Sequence, residues 1–292
     1  MSKVSIKRVS VLFYVMCCLA TYMSARQVKR TLYINKGFFT TVDTVQFPYF
    51  AFNNQNTFNP TNEVISLTTS DTLILKVINS DTSMHGFSVQ NKPSVNDLLN
   101  PGDSVIHILH FNNEGIYIFF DPYQYPKNRY MGLGGMVCVN NHRNSRDFYW
   151  NLKEHQKSYN QQLSAHGIVS WQDYYPDYFT INGKSYPDLQ KDTTAKVVAK
   201  LGDTVRIFIA NTGQSKHSIH FHGFHSRVIS STGNYISNAT EKETYPMASM
   251  QCVMLEMIPD KTGLYSVHDH NLVAVSGGGK HPNGMFIIMA IN

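Results

Sequence analysis

Short apolar runs, many of them alternating with polar residues and rich in Val, Ile, Phe and Tyr, recur along the chain between Gly, Asp, Asn and Pro. A period of two places successive side chains on opposite faces of a strand. The clearest predicted strands are Thr72 to Asn79, Ser104 to Phe111, Thr204 to Asn211 and Met250 to Ile258. Helical periodicity is nearly confined to Trp150 through Leu163. Many short strands at this spacing predict an all-β protein made of β-sandwiches.

The pattern also repeats. Asp71-Thr-Leu-Ile-Leu-Lys-Val-Ile-Asn79 matches Asp203-Thr-Val-Arg-Ile-Phe-Ile-Ala-Asn211, and continuing without a gap sets His85 against His217. Gly115-Ile-Tyr-Ile-Phe-Phe-Asp121-Pro122 matches Gly263-Leu-Tyr-Ser-Val-His268-Asp269-His270. Each is followed by a Gly-Met pair, Gly135-Met136 and Gly284-Met285. Three matches in the same order predict a duplicated domain. The expected division is a first domain over 30–142, a connector over 143–175 and a second domain over 176–292. Within the more polar stretch from Asn140 to Asp177, Phe148, Tyr149 and Trp150 are candidates to open the second sandwich.

Residues 1–25 read as a secretory signal peptide. Lys3, Lys7 and Arg8 precede an apolar run from Val9 to Ala20, with Ser24 and Ala25 as small residues for cleavage. The run is shorter than the ~20 residues of a membrane span, so no span is expected in the mature chain. Loss of three basic residues takes the net charge from +5 to +2, which gives no electrostatic case for nucleic acid. The expected location is outside the cytoplasm, periplasmic or extracellular. The mature chain keeps Cys138 and Cys252, which either pair or remain as separate buried thiols. The glycosylation sequon Asn238-Ala239-Thr240 matters only in a eukaryotic source.

Composition adds one anomaly, 13 His in a chain with only 15% charged residues, and seven of the 13 lie between His217 and His281. His220 and His222 are two apart, as are His268 and His270, so each pair points to one face of a strand. Four imidazoles on neighbouring strands make the main candidate metal site, and imidazole suits copper, zinc, iron and nickel. The opposite-facing His217, Asp269, His281 and Met285 are a second candidate set; its alternative is a buried pairing of Asp269 with His217 or His281. His85, Asp121 and Met136 are read as structural, because the second histidine is missing. His107 and His110 are expected to be ordinary sheet residues, His225 a neighbour of the motif, and His142, His155 and His166 solvent-exposed.

His217-Ser-Ile-His220-Phe-His222-Gly223 resembles the His-Pro-x-His-x-His-Gly motif of the last multicopper oxidase domain. His268-Asp269-His270, then His281 and Met285, resembles the His-Cys-His…His…Met motif that ends such chains. Asp177 through Lys184, ahead of Gly202 to Val205, resembles the segment that opens the domain. The resemblance covers roughly residues 60–292 and implies two tandem cupredoxin-like Greek-key β-sandwiches, as in two-domain laccases and copper nitrite reductases. It further implies copper as cofactor, a small reductant and oxygen as partners, and a homotrimer. Asp269 and Asp121 stand where the family has its copper-ligand cysteine, so no blue thiolate centre is expected. Ser88, Gln90, Phe120 and Pro122 stand where the second half has its four histidines, so the first domain contributes no ligand of that kind. The expected function is an exported copper-binding protein of this superfamily, with oxidoreductase chemistry at a mononuclear or degenerate site. The rival readings are a non-catalytic copper carrier and a metal-free cupredoxin scaffold or interaction protein.

Overall fold

The computed structural model describes residues 26–236 and 240–292. The expected signal peptide and the first two residues of the sequon lie outside the described residues.

The two halves fold into the same arrangement of sheets. In the first, Gln46–Asn53, Gln27–Thr40, Thr72–Asn79 and Ser104–His110 lie side by side in that order. In the second, the order is Tyr178–Ile181, Arg146–His155, Val205–Asn211 and Cys252–Met257, extended at one edge by Ser226–Ser231 and its hairpin partners. In both, the opening strand runs parallel to the repeated Asp-Thr strand: Leu32 faces Val77, and Trp150 faces Ile209. Arg146–His155, inside the polar stretch, is therefore the opening strand of the second sandwich.

The opposing sheets also correspond. Val64–Leu67, Gly134–Val139, Gly115–Phe120, His85–Val89 and Lys92–Leu99 form one. Val198–Ala199, Phe286–Ile291, Gly263–Asp269, His217–Phe221 and Thr244–Met247 form its counterpart. Register supports the sequence match, since Ser88 pairs with Phe120 where His220 pairs with His268.

Each sandwich buries its own core. In the second, Trp150 stacks on Phe221 with ring centroids 5.6 Å apart and donates its indole N–H to Ala195 O at 2.7 Å. The alternation predicted for the histidine strand is realised: His217, Ile219 and Phe221 turn inward, while His220 and His222 face outward. Removing one methyl group in an Ile219→Val variant is expected to cost about 0.5–1.5 kcal/mol. Thermal denaturation reads this, and an unchanged midpoint would show that the core closes around the loss.

A third cluster of Ile116, Ile118, Cys138, Phe208, Cys252 and Met254 joins the two sandwiches. Cys138 and Cys252 are separate free thiols within it, and the Cys252 thiol donates to Ile116 O at 3.3 Å. Polar contacts cross the junction as well: Arg129 donates to Thr212 O at 2.7 Å and Asn151 donates to Gly134 O at 2.7 Å. Among the described residues no helix is long and apolar enough to cross a membrane.

Candidate metal centre

Antiparallel pairing of His217–Phe221 with Gly263–Asp269 sets His220 opposite His268. The outward-facing imidazoles therefore collect at one end of the sheet. The His220 ring centroid lies 4.7 Å from that of His222, 5.7 Å from His268 and 5.4 Å from His270. The His222 and His268 centroids are 5.1 Å apart, and their Nε2 atoms approach to 3.0 Å. All four predicted residues are thus neighbours, with His222 and His270 exposed and the other two partly buried.

The hydrogen bonds select which nitrogens face inward. His268 Nδ1 lies 2.8 Å from Asp269 O, a carbonyl that can only accept, so Nδ1 carries the proton and Nε2 presents a lone pair. His220 Nδ1 is engaged with Thr244 Oγ1 at 2.8 Å, again leaving Nε2 free. Ligating histidines are commonly held in this way by a bond at the other nitrogen. Burial, and then the neighbouring His222, His268 and His270, hold His220 below the ordinary imidazole value, despite an opposing pull from Glu243. As they stand, no three His, Cys, Asp or Glu side chains among the described residues form a finished ligand set. The chemistry fits an imidazole-seeking ion nonetheless. Two cis ligands about 2.0–2.1 Å from one ion stand about 3 Å apart, as the His222 and His268 nitrogens do.

The second candidate set is arranged differently. His217 Nδ1 meets Asp269 Oδ2 at 2.6 Å, and His217 Nε2 meets Glu154 Oε2 at 2.9 Å. Asp269 Oδ1 accepts from the backbone N–H of Ser218 at 3.1 Å and of Asn271 at 3.0 Å. Both imidazole nitrogens are committed, and His217, Asp269 and Glu154 are each no more than 2% exposed. His281 is exposed and turns Nδ1 to Val275 O at 3.0 Å, while Met285 is buried. The structure thus joins His217 to Asp269, as the alternative reading held, and leaves His281 outside the pair. Burial alone would lower the His217 value, but hydrogen bonds to Asp269 and Glu154 outweigh it and raise it to about 9. Glu154, whose carboxyl burial would raise, is instead drawn down to about 2, chiefly by its hydrogen bond from His217.

The first sandwich carries a matching arrangement. His85 Nδ1 lies 2.8 Å from Asp121 Oδ2, and His85 Nε2 lies 3.0 Å from Asp81 Oδ2. The structural role expected for His85 and Asp121 therefore has a geometry. Asp81 and Glu154 went unnoticed in the sequence. The trace they leave is that Gly213 stands where the repeat has Asp81.

Other histidines divide cleanly. His142 and His166 are exposed, and His107 bonds Asp97 at 2.8 Å on its sheet. His225 lines an open cavity of about 530 Å³ beside the His222 loop, with Arg227, Asp260 and Lys261. His155 departs from expectation. The strand from Arg146 carries it into the junction, where it is fully buried among Phe39, Phe47, Tyr49 and Tyr130. Among the described residues neither ring nitrogen has a hydrogen-bond partner of normal geometry, and burial pulls its value down to about 3 against a small opposing pull from nearby Asn160.

Fold and site together define a two-domain cupredoxin protein with a histidine cluster on the second domain. Residues 156–280 match the multicopper oxidase family model. Among solved structures, a blue copper oxidase from Nitrosomonas europaea superposes with a TM-score of 0.78 at 21% identity, covering 91% of this chain and 86% of that one. The multicopper oxidase mgLAC gives 0.77 at 19% identity, covering 92% and 87%. A copper nitrite reductase from Nitrosomonas europaea gives 0.71 at 17% identity, covering 91% and 94%. No protein of curated function matches the sequence.

Proposed function

We propose that His220, His222, His268 and His270 hold copper, and that the chain is an exported copper protein with oxidoreductase chemistry at that one site. The reading rests on the orientation of the rings: His220 and His268 both have Nδ1 engaged, which turns their Nε2 atoms toward the cluster, and for His268 the carbonyl partner leaves that nitrogen a lone pair. Bound there, copper supplies one-electron redox chemistry. The protein's own part is to hold the imidazoles at strand spacing and to leave His222 and His270 open to a small reductant and oxygen. The first sandwich, with Ser88, Gln90, Phe120 and Pro122 at the matching positions, serves as scaffold and assembly partner. Export rests on residues 1–25, and a homotrimer on the family resemblance.

Titrating the mature chain with copper, followed by metal analysis and electron paramagnetic resonance, tests this. The expected result is one copper per chain without intense blue absorption. Replacing His268 and His270 together by Ala should weaken binding by more than the roughly 10–100-fold typical of losing an outer-shell partner. Unchanged stoichiometry in that variant would remove the four-histidine assignment. Oxygen consumption with a phenol or a reduced metal ion then separates an enzyme from a carrier.

A further inference from the structure

The residues that match the family's cysteine-ligated copper centre do not fit that metal in either half of the chain. We propose that each sandwich holds there a buried imidazolium bridged by two carboxylates, and that Asp81 and Glu154 are the residues that close the position to metal. With the four-histidine reading, on which this part rests, the consequence is selectivity: copper is confined to one site on the second domain.

The first support is occupancy. A ligating imidazole must offer a lone pair, yet both nitrogens of His85 and of His217 face carboxylate oxygens at 2.6–3.0 Å. With a carboxylate oxygen against each nitrogen, neither ring has a lone pair directed at a site where a metal could sit. Burial sharpens the point, because an imidazolium inside a core persists only when it is paired and hydrogen-bonded.

The second support is duplication. Asp121 Oδ1 accepts from the backbone of Gly86 at 2.8 Å and of Tyr123 at 2.7 Å. Asp269 Oδ1 accepts from Ser218 and Asn271, the same two positions of the repeat. Each aspartate is thereby fixed by two amides with its other oxygen on the ring, a set of bonds that a thiolate sulfur does not reproduce.

The third support is that the second carboxylate reaches the same place by two routes. In the first half it is Asp81, in the turn after the Thr72–Asn79 strand. The matching residue of the second half is Gly213, and a Cβ on it would lie 1.9 Å from Glu154 Oε2. The glycine vacates the position, and Glu154 fills it from the opening strand of the sandwich. Glu154 Oε1 meanwhile accepts from the N–H groups of Gln214 and Ser215, both at 2.6 Å, so the carboxylate is built in rather than incidental.

Nuclear magnetic resonance of the histidine rings in the full mature protein tests this directly, first without metal and then with the diamagnetic ion Cu(I). His85 and His217 should each show two protonated ring nitrogens at neutral pH, unchanged by two equivalents of Cu(I). A single ring proton on either in the metal-free protein, or loss of one from His217 on adding Cu(I), would overturn the proposal. Absent copper uptake would count against the four-histidine reading, while the rings read before metal is added still decide this one. A pair of variants isolates Glu154. Asp269→Cys alone should stay colourless with Cu(II), because Glu154 keeps His217, whereas Asp269→Cys with Glu154→Ala should turn blue. Equal colour in both would show that Glu154 excludes nothing.

Discussion

An Asp121→Ala variant is expected to lose about 3–5 kcal/mol of stability, the usual cost of removing one member of a buried ionic group. His85 would keep Asp81 but lose its 2.8 Å partner, and the backbone N–H groups of Gly86 and Tyr123 and the Asn128 amide would lose their acceptor. Hydrophobic contacts cannot make good this loss, because each stranded donor carries its own desolvation cost. Asp121→Asn separates the contributions. Its amide oxygen can still accept from the two backbone donors while its charge is gone, so an intermediate loss is expected. Urea denaturation gives the order of the two midpoints. An Asp121→Ala protein within 1 kcal/mol of the parent would mean that the first-sandwich triad is incidental to folding.

How far the sequence alone reached depended on the kind of interaction. Strand positions, the duplication and the four outward-facing histidines follow from periods of two and from self-similarity, which are local properties. Thr72–Asn79 was readable in full for that reason. Glu154 was not, because its importance comes from one long-range approach between residues 63 positions apart. His155 was misplaced on the same account. A polar composition suggested an exposed connector, but the strand pairs with Val205–Asn211 up to Leu152 and with Tyr178–Ile181 beyond it, which carries His155 into the domain junction. The Asp at the family's cysteine position was visible, but its partner was open between two readings. Distance alone settled that His217 takes the carboxylate and His281 does not.

The His217 ring is expected to hold its second proton until about pH 9, against about 6.5 for a free imidazole. At 1.36 kcal/mol per unit, that difference corresponds to roughly 3 kcal/mol favouring the charged, folded form. The sign follows from proton counting. Below about pH 6.5 both folded and unfolded chains carry the proton and the stabilisation is complete. Between 6.5 and 9 only the folded chain still holds it, so this contribution declines with rising pH and is gone once the folded ring titrates. Glu154 gives the mirror image, its contribution present above the ordinary carboxylate value and lost as the pH falls toward about 2. Lys153 and His155, buried nearby and held below their ordinary values, make slopes of the opposite sense. The ring resonance of His217, rather than the melting temperature, therefore isolates the effect. In chelator-treated protein its midpoint should stand near pH 9, and Glu154→Gln should bring it down by more than one unit, because one of the two carboxylates that favour the imidazolium becomes neutral. A midpoint at or below 7 in the parent would mean that desolvation wins over the two carboxylates, and that His217 sits between them as a neutral ring.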